Sequence, residues 1–357
     1  MSDSLESCGS GYDINQPYEW NYENVPTFRR TDVSPLPGRW TYCGLPVSSP
    51  LAMAAGPLLN GRWILEYAKL GFDVLTYKTV RGRARGCYPV PNLVPVSDDA
   101  IGRCGGNLKG LTPDQETKSW AISFGMPSRD PEDWMGDVRL TRDQLAGEQR
   151  LAVSVVASPD RDSSLESIVH DYVDCATKAV EAGADVVEAN FSCPNVDTPD
   201  GQIYLDAWAA GAIAQAMSNA LGAIPLAVKV GFIESAEKQA ELVDAIAPYA
   251  TAAVMVNGIG AKLTRGDEVL FEGATRGIGG MAIREASLRQ CEQFVERIER
   301  VGASMRVIGV GGIGSADDVS RYVNAGCEAV QLATAAMKTP DIGLSIRAAL
   351  ASSSDAS

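Results

Sequence analysis

From residue 51 onward, short apolar runs alternate with segments whose apolar positions recur every three to four residues. The runs lie at 51–56, 74–80, 150–157, 186–191, 226–230, 253–257, 306–310 and 329–334. Each is four to eight residues of mostly Val, Ile, Leu and Ala, the pattern of a strand buried on both faces. Helical periodicity follows at 63–70, 168–182, 203–221, 236–246, 283–301, 316–323 and 341–350. Three junctions share one form: Leu70-Gly71-Phe72-Asp73-Val74, Ala182-Gly183-Ala184-Asp185-Val186 and Ala325-Gly326-Cys327-Glu328-Ala329. Each sets a glycine just past a helix, where a left-handed cap is needed, and then opens a strand. Eight such units over roughly 300 residues predict a (β/α)8 TIM barrel.

Two stretches break the rhythm. Residues 1–44 carry Pro17, Pro26, Pro35 and Pro37, which interrupt helix, yet also Tyr12, Tyr18, Trp20, Tyr22 and Phe28. That many aromatics predicts an extension packed on the body or on a second subunit, ending in a small hairpin around Gly44. Residues 81–149 form an insertion after the second strand, far longer than an ordinary strand-to-helix loop. It contains Arg81, Arg83 and Arg85, a proline-rich turn at 88–92, a candidate strand at 120–126 and a candidate helix near 141–149. Insertions at strand C-termini roof the active site of such barrels, and the three arginines read as surface residues. The expected organisation is an extension and hairpin at 1–44, a barrel at 45–350 with the 81–149 roof, and a tail at 351–357.

Charge narrows the function. With 31 basic and 45 acidic residues the net charge is -14, which argues against nucleic acid or an anionic membrane as partner. No apolar run reaches the length of a membrane helix, and the first residues lack a signal-peptide pattern. The eight cysteines form no C-x-x-C pair, so the sequence predicts reduced thiols in a cytoplasmic protein and no metal site. The one histidine, His170, reads as an ordinary helix residue.

The candidate chemistry gathers at strand ends. Asn190-Phe191-Ser192-Cys193-Pro194-Asn195 follows the fourth strand. Cys193 there is either a buried core thiol or an acid/base held over a ligand. Lys78 and Lys229 interrupt apolar strands near their C-termini, where a charge needs a partner. Asn190, Asn195 and Asn257 offer donors and acceptors suited to a planar heterocycle. Gly309-Val310-Gly311-Gly312-Ile313-Gly314 matches the dinucleotide fingerprint, but only 43 residues follow it and no acid ends the next strand. In a barrel, Gly311, Gly312, Ala333 and Thr334 instead make a phosphate site after strands seven and eight. Gly277-Ile278-Gly279-Gly280 lets backbone approach a ring closely.

Together these blocks resemble the soluble, cysteine-dependent dihydroorotate dehydrogenases. The stretch from Asn190 to Asn195 looks like that family's N-[LF]-S-C-P-N signature. Thr76-Tyr77-Lys78-Thr79, Val228-Lys229, Asn257-Gly258, the two glycine blocks and Val330-Gln331-Leu332-Ala333-Thr334 are similar to its other blocks, in order, over residues 45–340 or so. The resemblance implies an FMN cofactor. Lys78, Thr79, Asn190 and Lys229 would contact it, Ala55 and Gly56 would lie against it, and Gly279, Gly280, Gly311, Gly312, Ala333 and Thr334 would hold it. Asn190, Asn195 and Asn257 would grip the pyrimidine. Cys193 would move a proton at one substrate carbon while hydride passes between its neighbour and flavin N5, with Lys229 as a fixed positive charge. A homodimer is implied; with no dinucleotide module in the sequence, NAD(P)H would need either a separate electron-transfer partner or direct entry, and fumarate is the acceptor that the simplest soluble relatives would use.

The sequence also departs from that pattern. Where the family has N-S-M-G-L-P, with a pyrimidine-binding Asn first, this chain has Ile122-Ser123-Phe124-Gly125-Met126-Pro127, and Gly258 stands where the family has Ser. Flavoenzyme chemistry on a small cyclic substrate is therefore a firmer expectation than dihydroorotate itself. A relative of the pyrimidine-reducing domain of dihydropyrimidine dehydrogenase, or a reductase of another cyclic amide or enone, fits the same residues. The tRNA dihydrouridine synthases also place a Cys at such a strand end, but need a basic surface.

Overall fold

The computed structural model describes residues 11–31, 33, 35–160, 162–192 and 202–354. Its centre is a closed barrel of parallel strands in chain order: Leu51–Met53, Val74–Val80, Arg150–Val155, Val186–Asn190, Leu226–Lys229, Ala252–Met255, Arg306–Val310 and Ala329–Leu332. The eighth strand closes on the first through Val330 opposite Leu51. The expected barrel is therefore the observed one. Every residue of the second, fourth, fifth, sixth and eighth strands is buried, as double-sided cover by helices requires.

The intervening helices start on side-chain caps. Ser164, Asp206, Ser235 and Ser315 each accept a backbone N–H three residues on, opening Leu165–Glu181, Ala207–Leu221, Ala236–Ile246 and Ala316–Asn324. Replacing such a cap by Ala costs about 1 kcal/mol. His170 is exposed on the first of these helices.

The hairpin Trp40–Tyr42 with Leu45–Val47 plugs the N-terminal end of the barrel. Tyr42 packs with Ala52, Val74, Ala152, Val186, Ala227, Ala252 and Ala329 in a cluster of its own. Glu328 ties the hairpin down by accepting from the backbone of Cys43 and Gly44. Upstream, Pro17 precedes a short helix, Tyr18–Glu23, where the prolines had suggested irregular chain. A proline at a helix start loses no hydrogen bond. Tyr12 and Tyr18 pack on Phe124, and Trp63 Nε1 donates to Asn21 O, so the extension lies on the body of this same chain.

A second sheet covers the other end. Leu93–Val96, Ser119–Ile122, Arg276–Gly280, Ile259–Arg265 and Glu268–Val269 run antiparallel in that spatial order, and Gly106–Lys109 pairs parallel with Ile259–Arg265. The insertion thus supplies half of this roof and the segment after the sixth barrel strand supplies the rest. The insertion's helix is Pro131–Gln144, earlier than expected, because Pro131 starts it and only Trp134, Val138 and Thr141 are buried along it. Among the described residues no helix is long and apolar enough to cross a membrane.

Candidate active site

Two adjoining cavities open where the barrel strands end beneath the roof. They share Ile122, Asn257, Val310 and Ala333 as walls. The smaller, about 110 Å3, is lined by Ala55, Gly56, Lys78, Thr79, Asn190 and Lys229, with Phe124 and Met126 from the roof loop. The larger, about 380 Å3, is lined by Gly279, Gly280, Gly311, Gly312 and Thr334. The structure therefore brings together every candidate residue named from the sequence except Cys193 and Asn195, which lie outside the described residues.

Lys229, the last residue of the fifth strand, is buried in a polar ring inside the barrel. Its Nζ donates to Gln331 Oε1 at 3.0 Å and stands 3.5 Å from Glu188 Oε1. The Gln331 amide reaches Glu188 Oε2 and the Tyr42 hydroxyl, both at 2.8 Å. A buried ammonium and carboxylate are tolerable only when paired and hydrogen-bonded in this way. Lys78 lies over the Phe124 ring, its Nζ 5.9 Å from the centroid.

The asparagines shape the exit of the fourth strand. Asn190 Oδ1 accepts the Ser192 N–H at 3.1 Å, and its Nδ2 reaches Thr79 Oγ1 at 3.4 Å. Tyr172 donates to Asn190 O at 2.8 Å. Asn257 Nδ2 donates to Ser192 O at 2.5 Å, so the residue just before Cys193 is held from two sides. Burial pushes up the thiols of Cys43, Cys175 and Cys291, and Cys87 up to about 11, so none of these four is a ready thiolate.

The larger cavity has the form of an anion cradle. Gly280 and Gly312 take φ of 94° and 68°. A Cβ on Gly280 would overlap Lys118 O, and one on Gly312 would lie 2.9 Å from Gly280 O, so the two loops touch backbone to backbone. The helix Thr334–Lys338 starts at Ala333 with no side-chain cap. Lys118, Arg284 and Lys338 add positive charge to the walls, though Arg284 is also paired with Asp318 at 2.9 Å.

Sequence reasoning missed several of these groups. Glu188 sits in an apolar run, and an acid inside a buried strand needs the same explanation as a lysine there, which is the signal that could have found it. Lys118, Arg284 and Lys338 carried no sequence signal. Arg81 was expected at the surface, but it is buried, donating to Met126 O and Ala157 O to hold the insertion against the third strand.

Comparison with known proteins decides the family. A family model described as dihydroorotate dehydrogenase matches residues 39–353. The chain belongs to the dihydroorotate dehydrogenase family. It is 31% identical to the dihydroorotate dehydrogenase of Dictyostelium discoideum, covering 93% of this chain and 95% of that one. It is 26% identical to the catalytic subunit of the dihydroorotate dehydrogenase B (NAD(+)) of Thermoplasma acidophilum, over 82% of this chain and 85% of the relative. A quinone-type dihydroorotate dehydrogenase from Acidovorax is 25% identical, over 91% and 90%. The crystal structure of the Eimeria tenella enzyme in complex with ferulenol shares the fold, with a TM-score of 0.72 at 16% identity over 93% of this chain and 87% of that one. The protein is thus an oxidoreductase of the dihydroorotate dehydrogenase type, an enzyme acting on CH–CH bonds.

Proposed function

We propose that the chain is an FMN-dependent enzyme that interconverts a dihydropyrimidine-like cyclic substrate and its unsaturated form, with Cys193 as acid/base. The observation that carries this is the convergence of Lys78, Asn190, Lys229 and Asn257 on one cavity continuous with the glycine cradle. The residues fit the cofactor. The backbone approach at Gly280 and Gly312, with the uncapped helix at Ala333, suits a phosphate, and Ala55 and Gly56 leave a flat wall for a ring. Bound there, FMN would supply a two-electron hydride acceptor and donor at its N5.

The chain's own residues would do the rest. Lys229, held by Glu188 and Gln331, presents fixed positive charge where electron density accumulates. Asn190 and Asn257, with Asn195, would hold the edges of a planar amide ring. Cys193 follows directly in the sequence on Ser192, whose backbone is held by Asn190 and Asn257, both of which line the smaller cavity. A thiol of pKa about 8.5 can give its proton to carbon in reduction and, ionised, take it back in oxidation.

Anaerobic mixing of the purified yellow protein with dihydroorotate or dihydrouracil tests the reading through bleaching of the flavin band. A protein that takes up no FMN would end it. Bleaching that survives Cys193→Ala at full rate would remove the thiol from the mechanism. The second reading, a reductase of another cyclic amide or enone, is favoured by Ile122, which puts an aliphatic side chain on the wall of both cavities.

A further inference from the structure

Behind the roof sheet lies a separate groove of about 1290 Å3. Its walls come from the extension at Ile14 and Pro17, the turn Tyr88-Pro89-Val90-Pro91, and the hairpin segment from Arg265 to Arg276. It backs directly onto the candidate active site. Ile122 and Gly277 line the barrel cavity, while their chain neighbours Ser123 and Arg276 line the groove. Ile122 and Gly277 are paired in the sheet, so one layer of backbone divides the two spaces.

The groove has a built interior. The Arg276 guanidinium lies 4.9 Å from the Phe271 ring centre and 5.8 Å from that of Tyr88. Its Nε donates to Ser123 Oγ at 2.8 Å and its Nη1 to Thr275 O at 3.0 Å, so its plane is fixed before any ligand arrives. Arg265 also lines the groove, with its Nε buried and unpaired among the described residues, so its contribution to a ligand comes from the guanidinium's outer N–H groups. Phe271 and Glu272, in the turn just after the strand Glu268–Val269, both take φ of 54°, and strained backbone is kept where it aims side chains. Arg85 adds a third cation, against Glu268 and Glu272, in a chain whose net charge is -14.

We propose that this groove is a second ligand site, for a planar aromatic carboxylate, distinct from the barrel cavity. An arginine set beside two rings, its head held by Ser123 and Thr275, keeps N–H donors on its outer nitrogens for a carboxylate, and the aromatic and proline walls match the face of a ring. The site does not depend on flavin chemistry in the cavity below.

Equilibrium dialysis of the FMN-loaded protein with labelled nicotinate tests this. Saturable binding is expected, weakened at least tenfold by Arg265→Met and by Arg85→Gln together with Arg276→Met, weakened by salt, and unchanged by Lys229→Met combined with Glu188→Gln, which leaves no stranded charge in the barrel. Nicotinamide, which lacks the carboxylate, and cyclohexanecarboxylate, which lacks the flat ring, should both bind at least tenfold more weakly. Absence of saturable binding overturns the proposal. So does binding that the Lys229→Met and Glu188→Gln double variant abolishes and Arg265→Met leaves intact, which would place the ligand in the barrel. Arg265→Met alone suffices if the double change prevents folding, and the melting temperature of each variant reports folding separately.

Discussion

Lys229 and Glu188 face each other inside the barrel at 3.5 Å, both buried, with the Gln331 amide bonded to each. The pair lies directly below the smaller cavity, so its integrity bears on both stability and chemistry. Lys229→Met strands Glu188 as an uncompensated buried charge and should cost about 3–5 kcal/mol in urea unfolding. Adding Glu188→Gln removes that charge and should recover most of the loss. A double variant no more stable than the single one would mean that the ring is not energetically coupled. Restored stability without restored flavin bleaching would separate the role of Lys229 in holding the fold from its role at the cavity.

Two glycines should respond oppositely to the same added methyl group. At Gly56 a Cβ meets nothing within 4 Å, because the residue borders the smaller cavity. Gly56→Ala should leave the melting temperature of the flavin-free protein unchanged yet weaken FMN uptake, measured by flavin fluorescence quenching. At Gly280 the Cβ runs into Lys118 O and φ is 94°, so Gly280→Ala should lower the stability of the flavin-free protein by about 1–3 kcal/mol. Equal FMN affinity in wild type and Gly56→Ala would argue that no ring lies against that wall.

Ile122 occupies the wall common to both cavities, opposite Gly277 in the sheet and 3.5 Å from where a Gly279 side chain would begin. A site that offers an aliphatic group to a polar edge leaves that edge unpaired, which discriminates strongly. Ile122→Asn should therefore raise kcat/KM for dihydroorotate about tenfold or more and lower it for substrates with an apolar edge there. Steady-state assays on both substrate types check this, and an unchanged ratio would exclude Ile122 as a determinant of choice.

The barrel was legible because its strands are buried on both faces. Residues 74–80 and 306–310 appear in the structure as the strands Val74–Val80 and Arg306–Val310, and the helix read at 236–246 is Ala236–Ile246. The roof was half hidden. Arg276–Gly280 is a strand of mostly glycine, a composition that reads as loop, and Ile259–Arg265 borders it. Its glycines serve close backbone contact, which conflicts with strand propensity and marks a functional surface. The site divides in the same way. Lys78, Lys229 and the strand-end asparagines stand out because polar groups in apolar strands are costly. Lys118, Arg284 and Lys338 do not, because a cation in a loop or at a helix end is ordinary until the fold turns it toward a cavity.

Glu285, next to the cavity residue Arg284, offers a test of the electrostatics of these side chains. Both its oxygens accept from Arg321, at 2.9 and 2.8 Å, and Arg284 lies 3.2 Å away. These hydrogen bonds, Arg321 first, hold its carboxyl down to about 2 from an ordinary value of 4.5. A folded value below the unfolded one stabilises the protein above the unfolded pKa, and that contribution fades as pH falls through the folded value. The side chain is 45% exposed, so solvent screening limits the effect to about 0.5 kcal/mol. Glu285→Gln should thus be slightly less stable than wild type at neutral pH, and the gap should close between pH 4.5 and 2 as the wild-type carboxylate takes up its proton. Carboxyl resonances followed by NMR would show the Glu285 midpoint directly. A midpoint in the usual glutamate range would mean that the Arg321 fork is not formed in solution, and the pH dependence of the stability gap would then vanish with it.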